Sequence, residues 1–223
     1  GAGEAGRDAY LAAIDGIVFG DDSTQGLVRG ARFVHPKLGF AFTAPDGFSL
    51  ENQSAALIGV GDSGAEALRL DSVQVDPSTS LETAIASGWI DGVKTSSVEA
   101  MTVDDLPAAT AIAEGEQWSF RLGAVRLSGK VYRLIFAAHT LTPAVDARFR
   151  ASIASFHKLS PQEAGEVHPA RIEIVTAGSG DTADGLAARM AVPDRPLEQF
   201  LLLNGLEKGG ALPSGQRFKI VVD

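Results

Sequence analysis

The feature that most limits this chain is its punctuation. Short apolar runs alternate with turn residues: Phe40–Ala44 closes on Pro45-Asp46-Gly47, Ala55–Val60 on Gly61-Asp62-Ser63-Gly64, and Ala67–Val75 on Asp76-Pro77. Runs fenced so closely by Gly, Pro and Asp predict strands joined by tight turns, an antiparallel meander. A second set repeats the design in Ser97–Val103, Ala108–Glu114, Trp118–Leu127 and Val131–His139, the last two joined by the hairpin-sized Ser128-Gly129-Lys130. In Trp118-Ser119-Phe120-Arg121-Leu122-Gly123 apolar residues alternate with polar or small ones, the period of a half-buried strand.

A helix follows each set. Ser80 is the expected N-cap of a helix running through Trp89, with Leu81, Ala84, Ile85 and Gly88 on one face and Glu82 in the first turn, where the helix dipole favours negative charge. Thr142-Pro143 supplies a cap and a first-turn proline for a helix to Phe156 whose buried face is Val145, Phe149, Ile153 and Phe156. Ser160-Pro161-Gln162-Glu163 spells a capping box. Ahead of everything, Tyr10, Leu11, Ile14, Ile17 and Val18 fall at helical spacing, predicting a helix from Arg7 that ends near Gly20-Asp21-Asp22. The order strands, helix, strands, helix does not alternate as βαβ units do, so the fold class is α+β, an antiparallel sheet flanked by helices.

Around Gly165–Arg171 the pattern weakens, and His168-Pro169 reads as a linker into a unit of about fifty residues. That unit reads as strand Ile172–Ala177, turn Gly178-Ser179-Gly180, helix Thr182–Ala191, a loop containing Pro193, helix Pro196–Asn204, loop Gly205–Gly215 and strand Gln216–Val222, a βααβ order. Asp181 is the expected cap of its first helix, and Asn204-Gly205 the end of its second. The expected organisation is therefore an N-terminal helix and connector (1–32), a main domain (33–160), a linker (161–170) and a small C-terminal domain (171–223).

Composition excludes several functions. The 223 residues, 45% of them hydrophobic, suffice for a real core, and no apolar run approaches the length of about 20 residues that spans a bilayer. The net charge is −9, and 21 of the 28 acidic residues precede residue 171, so a nucleic-acid backbone and an anionic membrane are poor partners. There is no cysteine, which removes disulfides, thiolate metal sites and cysteine nucleophiles together. Gly1-Ala2-Gly3-Glu4-Ala5-Gly6 has no charged or apolar region of a signal peptide and reads as a remnant joined to a piece of a longer protein.

Motifs of catalysis fail on context. Gly59-Val60-Gly61-Asp62-Ser63-Gly64 spells a dinucleotide fingerprint, but the helix such a site needs is replaced by the extended Leu68, Leu70, Val73 and Val75. The embedded Gly-Asp-Ser-Gly resembles a serine-protease nucleophile region, yet no histidine stands where that family has one, and Ser63 reads as a turn residue. His35, His139, His157 and His168 stand singly, without the spacing of metal ligands, and the pairs Asp21-Asp22 and Asp104-Asp105 read as turns.

The C-terminal unit carries a resemblance. Gly180-Asp181-Thr182, Leu186-Ala187, Leu203-Asn204-Gly205-Leu206, Leu212 and Gly215-Gln216-Arg217-Phe218-Lys219-Ile220 resemble a LysM domain, a βααβ module whose family recognises N-acetylglucosamine glycans such as peptidoglycan and chitin. The resemblance implies a shallow sugar groove between the first strand–helix loop and the second helix–strand loop, with Gly180, Asp181, Thr182, Ala183, Asn204, Gly205 and Leu206 as its glycan-binding residues. The chain departs from the family at Arg171-Ile172-Glu173, where an aromatic or histidine is usual, at Ala183 in place of leucine, and at Pro193 and Pro196 between the helices. A purely structural unit, in which Asp181 caps a helix and Leu186, Phe200, Leu203 and Ile220 form a core, is the alternative.

The earlier part resembles a second family. Arg7-Asp8-Ala9-Tyr10-Leu11-Ala12-Ala13-Ile14-Asp15-Gly16, Phe19-Gly20-Asp21-Asp22, Gly26 to Gly30, His35-Pro36, Gly39-Phe40-Ala41-Phe42-Thr43-Ala44-Pro45, Trp89-Ile90-Asp91-Gly92 and Arg133-Leu134-Ile135-Phe136 are similar to the region after the catalytic domain in bacterial H-E-x-x-H zinc metallopeptidases of the envelope, relatives of the CAAX prenyl endopeptidases. The main domain, with Gly-Phe and then Pro-x-Gly-Phe opening a sheet, also resembles the PsbP-like α/β/α sandwich. These resemblances imply the non-catalytic C-terminal region of a periplasmic or secreted peptidase. Its partners would be its own upstream protease domain, envelope protein clients and peptidoglycan. Zinc is expected only in the upstream domain, and no catalytic residue or cofactor in this chain. The rival expectation is a stand-alone envelope module that binds a small ligand or another protein.

Overall fold

A computed structural model describes residues 2–20, 25–61, 63–192, 195–210 and 212–223, so Asp21, Asp22, Asp62 and Pro193, named above in turns and loops, lie outside the described residues. The chain divides into two units, one of residues 24–167 and one made of residues 1–23 together with 168–223.

The first element is helix α1 (Ala2–Ile14). It ends earlier than the apolar spacing predicts, because Gly16 adopts a left-handed φ of 80° and the chain then runs extended. The larger unit follows, opening with strands β1 (Leu27–Arg29), β2 (Arg32–His35) and β3 (Phe40–Thr43). Next come β4 (Phe48–Asn52), β5 (Leu57–Gly61), β6 (Glu66–Val73), helix α2 (Leu81–Ala86), β7 (Glu99–Val103), β8 (Leu106–Glu114), β9 (Ser119–Leu127) and β10 (Lys130–Ala138). Helix α3 (Pro143–Ala154), strand β11 (His157–Lys158) and helix α4 (Pro161–Glu166) complete the unit.

Two antiparallel sheets result. One has seven strands in the order β4-β5-β6-β10-β9-β8-β7, so the two predicted meanders join where β6 pairs with β10. The other has the order β1-β2-β3-β11. The unit is thus α+β. β1, β2, β4 and β11 are strands that the sequence reading lacks. The two-residue loops Asp104-Asp105 and Ser128-Gly129 have positive φ at both positions, the geometry that matches strand twist in a tight hairpin.

Strict alternation sorts the seven-stranded sheet into two faces. On one, Leu68, Leu70, Val125, Leu127, Tyr132, Leu134 and Phe136 pack with Phe149 and Ile153 of α3 and with Phe40, Phe42 and Phe156. Gly123 lies under α3, where a Cβ would come within 2.9 to 3.1 Å of three carbons of Ile153, so glycine there sets how closely the helix approaches the sheet. On the other face, Leu81 and Ile85 of α2 cover Ala109, Ala111, Ala113, Leu122, Ala124 and Val131. Helices therefore lie on both faces. The Oγ of Ser80 accepts the Thr83 N–H at 3.1 Å and Thr142 Oγ1 the Val145 N–H at 3.3 Å. The capping box of α4 is complete, with Ser160 Oγ accepting from Glu163 N–H and Glu163 Oε2 from Ser160 N–H. Helix α2 stops at Ala86, short of Trp89, because Gly88 turns left-handed at φ 96°.

The smaller unit adds β12 (Arg171–Thr176), α5 (Ala183–Ala187), α6 (Pro196–Asn204) and β13 (Arg217–Val222) to α1. β12 and β13 pair antiparallel, from Arg171 opposite Val222 to Thr176 opposite Arg217. The segment after α1 runs along β12, with Gly16 N–H donating to Ile172 O (2.7 Å), Ile172 N–H to Ile17 O (2.9 Å) and Phe19 N–H to Ala170 O (2.6 Å). Arg7 donates to Arg217 O, and the Lys219 ammonium stands 5.7 Å from the Tyr10 ring centre. The N-terminal helix, which the sequence reading assigns to its own segment with residues up to 32, folds instead as part of the C-terminal unit. The boundary after the larger unit falls at 167, so α4 belongs to that unit and not to a linker over 161–170.

Candidate functional site

The smaller unit holds a groove of about 570 Å³ lined by Gly180–Asp184, Leu197, Leu201, Lys208, Gly209, Gly210 and Leu212. Its first wall is the β12–α5 loop. Gly180 has φ 96°, which a side chain rarely tolerates, and this turns the chain back toward α5. Asp181 does not cap the helix as expected. Its Oδ2 accepts the Gly178 N–H at 2.7 Å, bracing the loop, while Thr182 is the cap, its Oγ1 accepting the Gly185 N–H at 3.1 Å. The helix is also shorter than Thr182–Ala191. After Ala187 the bonds tighten to Arg189 N–H on Leu186 O and Met190 N–H on Ala187 O, and Ala191 N–H then donates to Val221 O of β13.

The floor is apolar. Leu197 and Leu201 come from α6 and Leu212 from the following loop, and all three pack against the core of Phe200, Phe218, Ile220, Leu186 and Ala187. The second wall is Lys208-Gly209-Gly210, with Gly209 at φ 85°. The charges at the rim are Asp181, Asp184 and Lys208.

Of the seven residues expected to bind glycan, Gly180, Asp181, Thr182 and Ala183 line this groove, whereas Asn204, Gly205 and Leu206 do not. Asn204 is an internal clamp. Its Nδ2 donates to Phe200 O and Lys219 O, both at 2.9 Å, and its Oδ1 accepts the Lys219 N–H at 2.8 Å. Gly205, left-handed at φ 62°, closes α6: its N–H donates to Leu202 O and the Leu206 N–H to Leu201 O, the paired bonds of a Schellman end. Leu206 packs inward against the core. The residues of that loop that face the groove, Lys208, Gly209, Gly210 and Leu212, come later in it. The sequence signal for them is the Gly209-Gly210 pair beside Lys208.

The remaining candidates resolve into structure. Gly59, Gly61, Ser63 and Gly64 belong to the β5–β6 hairpin, where Gly64 N–H donates to Gly61 O and Ser63 Oγ accepts from Ala65 N–H. The His139 ring stacks on Trp118 at 3.8 Å, and its Nδ1 lies 3.1 Å from Gln117 O. His157 touches Glu163. Among the described residues no group of three or more His, Asp or Glu could hold a metal ion, so these residues do not fit a zinc site. No helix of the described residues is long and apolar enough to cross a membrane.

No protein-family model and no curated protein matches the chain. Among the solved structures that are similar at a distance are the following two. A protein from Bacteroides thetaiotaomicron VPI-5482 has 14% identity and a TM-score of 0.43, over 65% of this chain and 53% of its own, so this chain spans about half of that protein's length. Cyanobacterial PsbP (CyanoP) from Synechocystis sp. PCC 6803 also has 14% identity and a TM-score of 0.43, over 63% of this chain and 98% of its own.

Proposed function

We propose that this chain is a non-catalytic envelope segment whose smaller unit holds N-acetylglucosamine-containing glycan in the groove between residues 180–184 and Lys208, Gly209, Gly210 and Leu212. The observation that carries the reading is the pairing of an apolar floor, Leu197, Leu201 and Leu212, with two loops rich in exposed backbone. An N-acetyl sugar presents the matching chemistry: its methyl and ring faces bury on the leucines, while its amide and hydroxyls exchange hydrogen bonds with loop N–H and C=O groups. Glycines at 180, 209 and 210 let a ring come close to the main chain. The rim has two acids and one lysine, a small net charge that suits a neutral ligand.

On this reading the βααβ unit is LysM-like and attaches the chain to peptidoglycan. The larger unit is a PsbP-like sandwich that contacts an upstream zinc-dependent protease domain and its envelope clients. The zinc ligands and the catalytic glutamate would belong to that upstream domain, and the location would be periplasmic or secreted.

Titration of the full chain with chitotetraose, following amide signals, tests the glycan reading. Saturable shifts at Gly180–Ala183 and Lys208–Gly210, abolished in Leu197→Glu, are expected. Signals that stay still at millimolar sugar would leave the unit as structure alone.

A further inference from the structure

The larger unit contains a second pocket, of about 150 Å³ and open to solvent on one side, lined by Phe33, His35, Leu38, Phe40, Leu57, Leu70 and Tyr132, with Asn52, Gln53 and Ser72 also in its lining. Its lining comes from both sheets, beside an aromatic cluster: Phe40 lies 4.6 Å from Tyr132, 5.9 Å from His35 and 6.0 Å from Phe33, ring centre to ring centre. A cavity of this size takes one six-membered ring.

Two hydrogen-bond donors in its wall are unspent. Tyr132 is only 3% exposed, yet no described residue hydrogen-bonds its hydroxyl. Every described side-chain N or O that is shut off from solvent has a partner, so the Tyr132 Oη must open onto the cavity it lines. His35 Nδ1 accepts the Leu38 N–H at 3.3 Å, which leaves the proton of the neutral ring on Nε2, and no described residue accepts that proton.

The charges near the cavity complete the specification. Asp71 is in its lining, but its carboxylate is bound by Arg133 and Arg69. Burial holds the His35 imidazole below its usual range; its own backbone carbonyl opposes this, and the positive charges of Lys37 and Lys130 add to the lowering. Burial also pushes the Tyr132 phenol up, so both groups are neutral donors at pH 7.

We propose that this cavity binds a small organic acid, a single carboxylate on an apolar body no larger than one ring, its oxygens accepting from Tyr132 Oη and His35 Nε2. This site is independent of the glycan reading. Benzoate is the probe, titrated into the full chain while the amide signals of residues 33–40, 52–57 and 70–72 are followed. Saturable shifts are expected in the millimolar range, with benzene and benzamide each at least about tenfold weaker, roughly the worth of one hydrogen bond to a charged group. Tyr132→Phe removes only an oxygen that the fold does not use, so the variant should fold normally and bind benzoate about tenfold more weakly. Absence of saturation, equal binding of benzene or benzamide, or an unchanged affinity in Tyr132→Phe would each overturn the assignment.

Discussion

Replacing Asp146 by alanine should destabilise the larger unit by about 3 kcal/mol. Arg121 on β9 is 3% exposed at its side chain, and the Asp146 carboxylate on α3 grips it with two bonds, Nε to Oδ1 at 2.7 Å and Nη2 to Oδ2 at 2.8 Å. The other contact is Nη1 to Thr110 Oγ1 at 3.2 Å, and that hydroxyl donates onward to Leu122 O. Without the carboxylate, a guanidinium would sit between sheet and helix with one neutral acceptor. Breaking a buried pair costs about 3–5 kcal/mol, and because Asp146 is itself 22% exposed, water can enter the vacated space, which selects the lower end. Urea unfolding followed by tryptophan fluorescence reads the effect directly, since both tryptophans, Trp89 and Trp118, lie in residues 24–167. With a slope of about 2 kcal/mol per molar urea, the midpoint should fall by about 1.5 M. The double replacement Arg121→Met with Asp146→Leu removes both charges and should return the midpoint to within about 0.5 M of the parent. A single variant within about 0.3 M of the parent, or a double variant as weak as the single, would refute the argument.

Asn204→Ala should loosen the smaller unit by roughly 2–3 kcal/mol, because three hydrogen bonds to Phe200 O and to the Lys219 backbone are lost together. Native-state hydrogen exchange at Phe218–Val221 measures this, and unchanged protection there would count against the clamp. Glu163 is held at about 2, below its ordinary 4.5, chiefly by the Ser160 N–H and then the Ser160 hydroxyl, with His157 adding to them. A depressed carboxyl stabilises the folded state fully above its ordinary value and loses that contribution as pH falls from about 4.5 toward 2. The Glu163→Gln variant should lack this acid dependence, and NMR titration of the parent should place the carboxyl near 2; a midpoint at 4.5 would contradict the capping box.

Local grammar was legible where a single side chain decides the outcome. Ser80, Thr142 and Ser160 cap the helices they were expected to cap, because a side-chain oxygen three residues ahead of an orphan N–H is written in the sequence. Helix lengths were less legible, since the apolar spacing around Ile17 and Trp89 continues past Gly16 and Gly88, whose left-handed backbones end the helices. Strand β4, Phe48-Ser49-Leu50-Glu51-Asn52, alternates, but its polar half hid it behind the Pro-Asp-Gly turn. In the candidate groove, Gly180–Ala183 were placed by the LysM resemblance that their motif carries. Asn204 could not, because whether an amide meets a ligand or the adjoining strand depends on the β13 register, which is fixed by long-range pairing. The pairing of residues 16–19 with β12 is a backbone event between distant segments and leaves no side-chain pattern to read.

The hydrogen bond from Phe19 to Ala170 gives the smaller unit an unusual genealogy. Two positions that far apart in the chain meet in one backbone pair, so everything between them departs from and returns to nearly the same point, as an inserted guest does in a host. During synthesis α1 meets its β12 and β13 partners only after the whole guest has emerged from the ribosome, and the host closes last. Shortening the intervening chain to a few residues would bring its two halves together at little loop-closure cost.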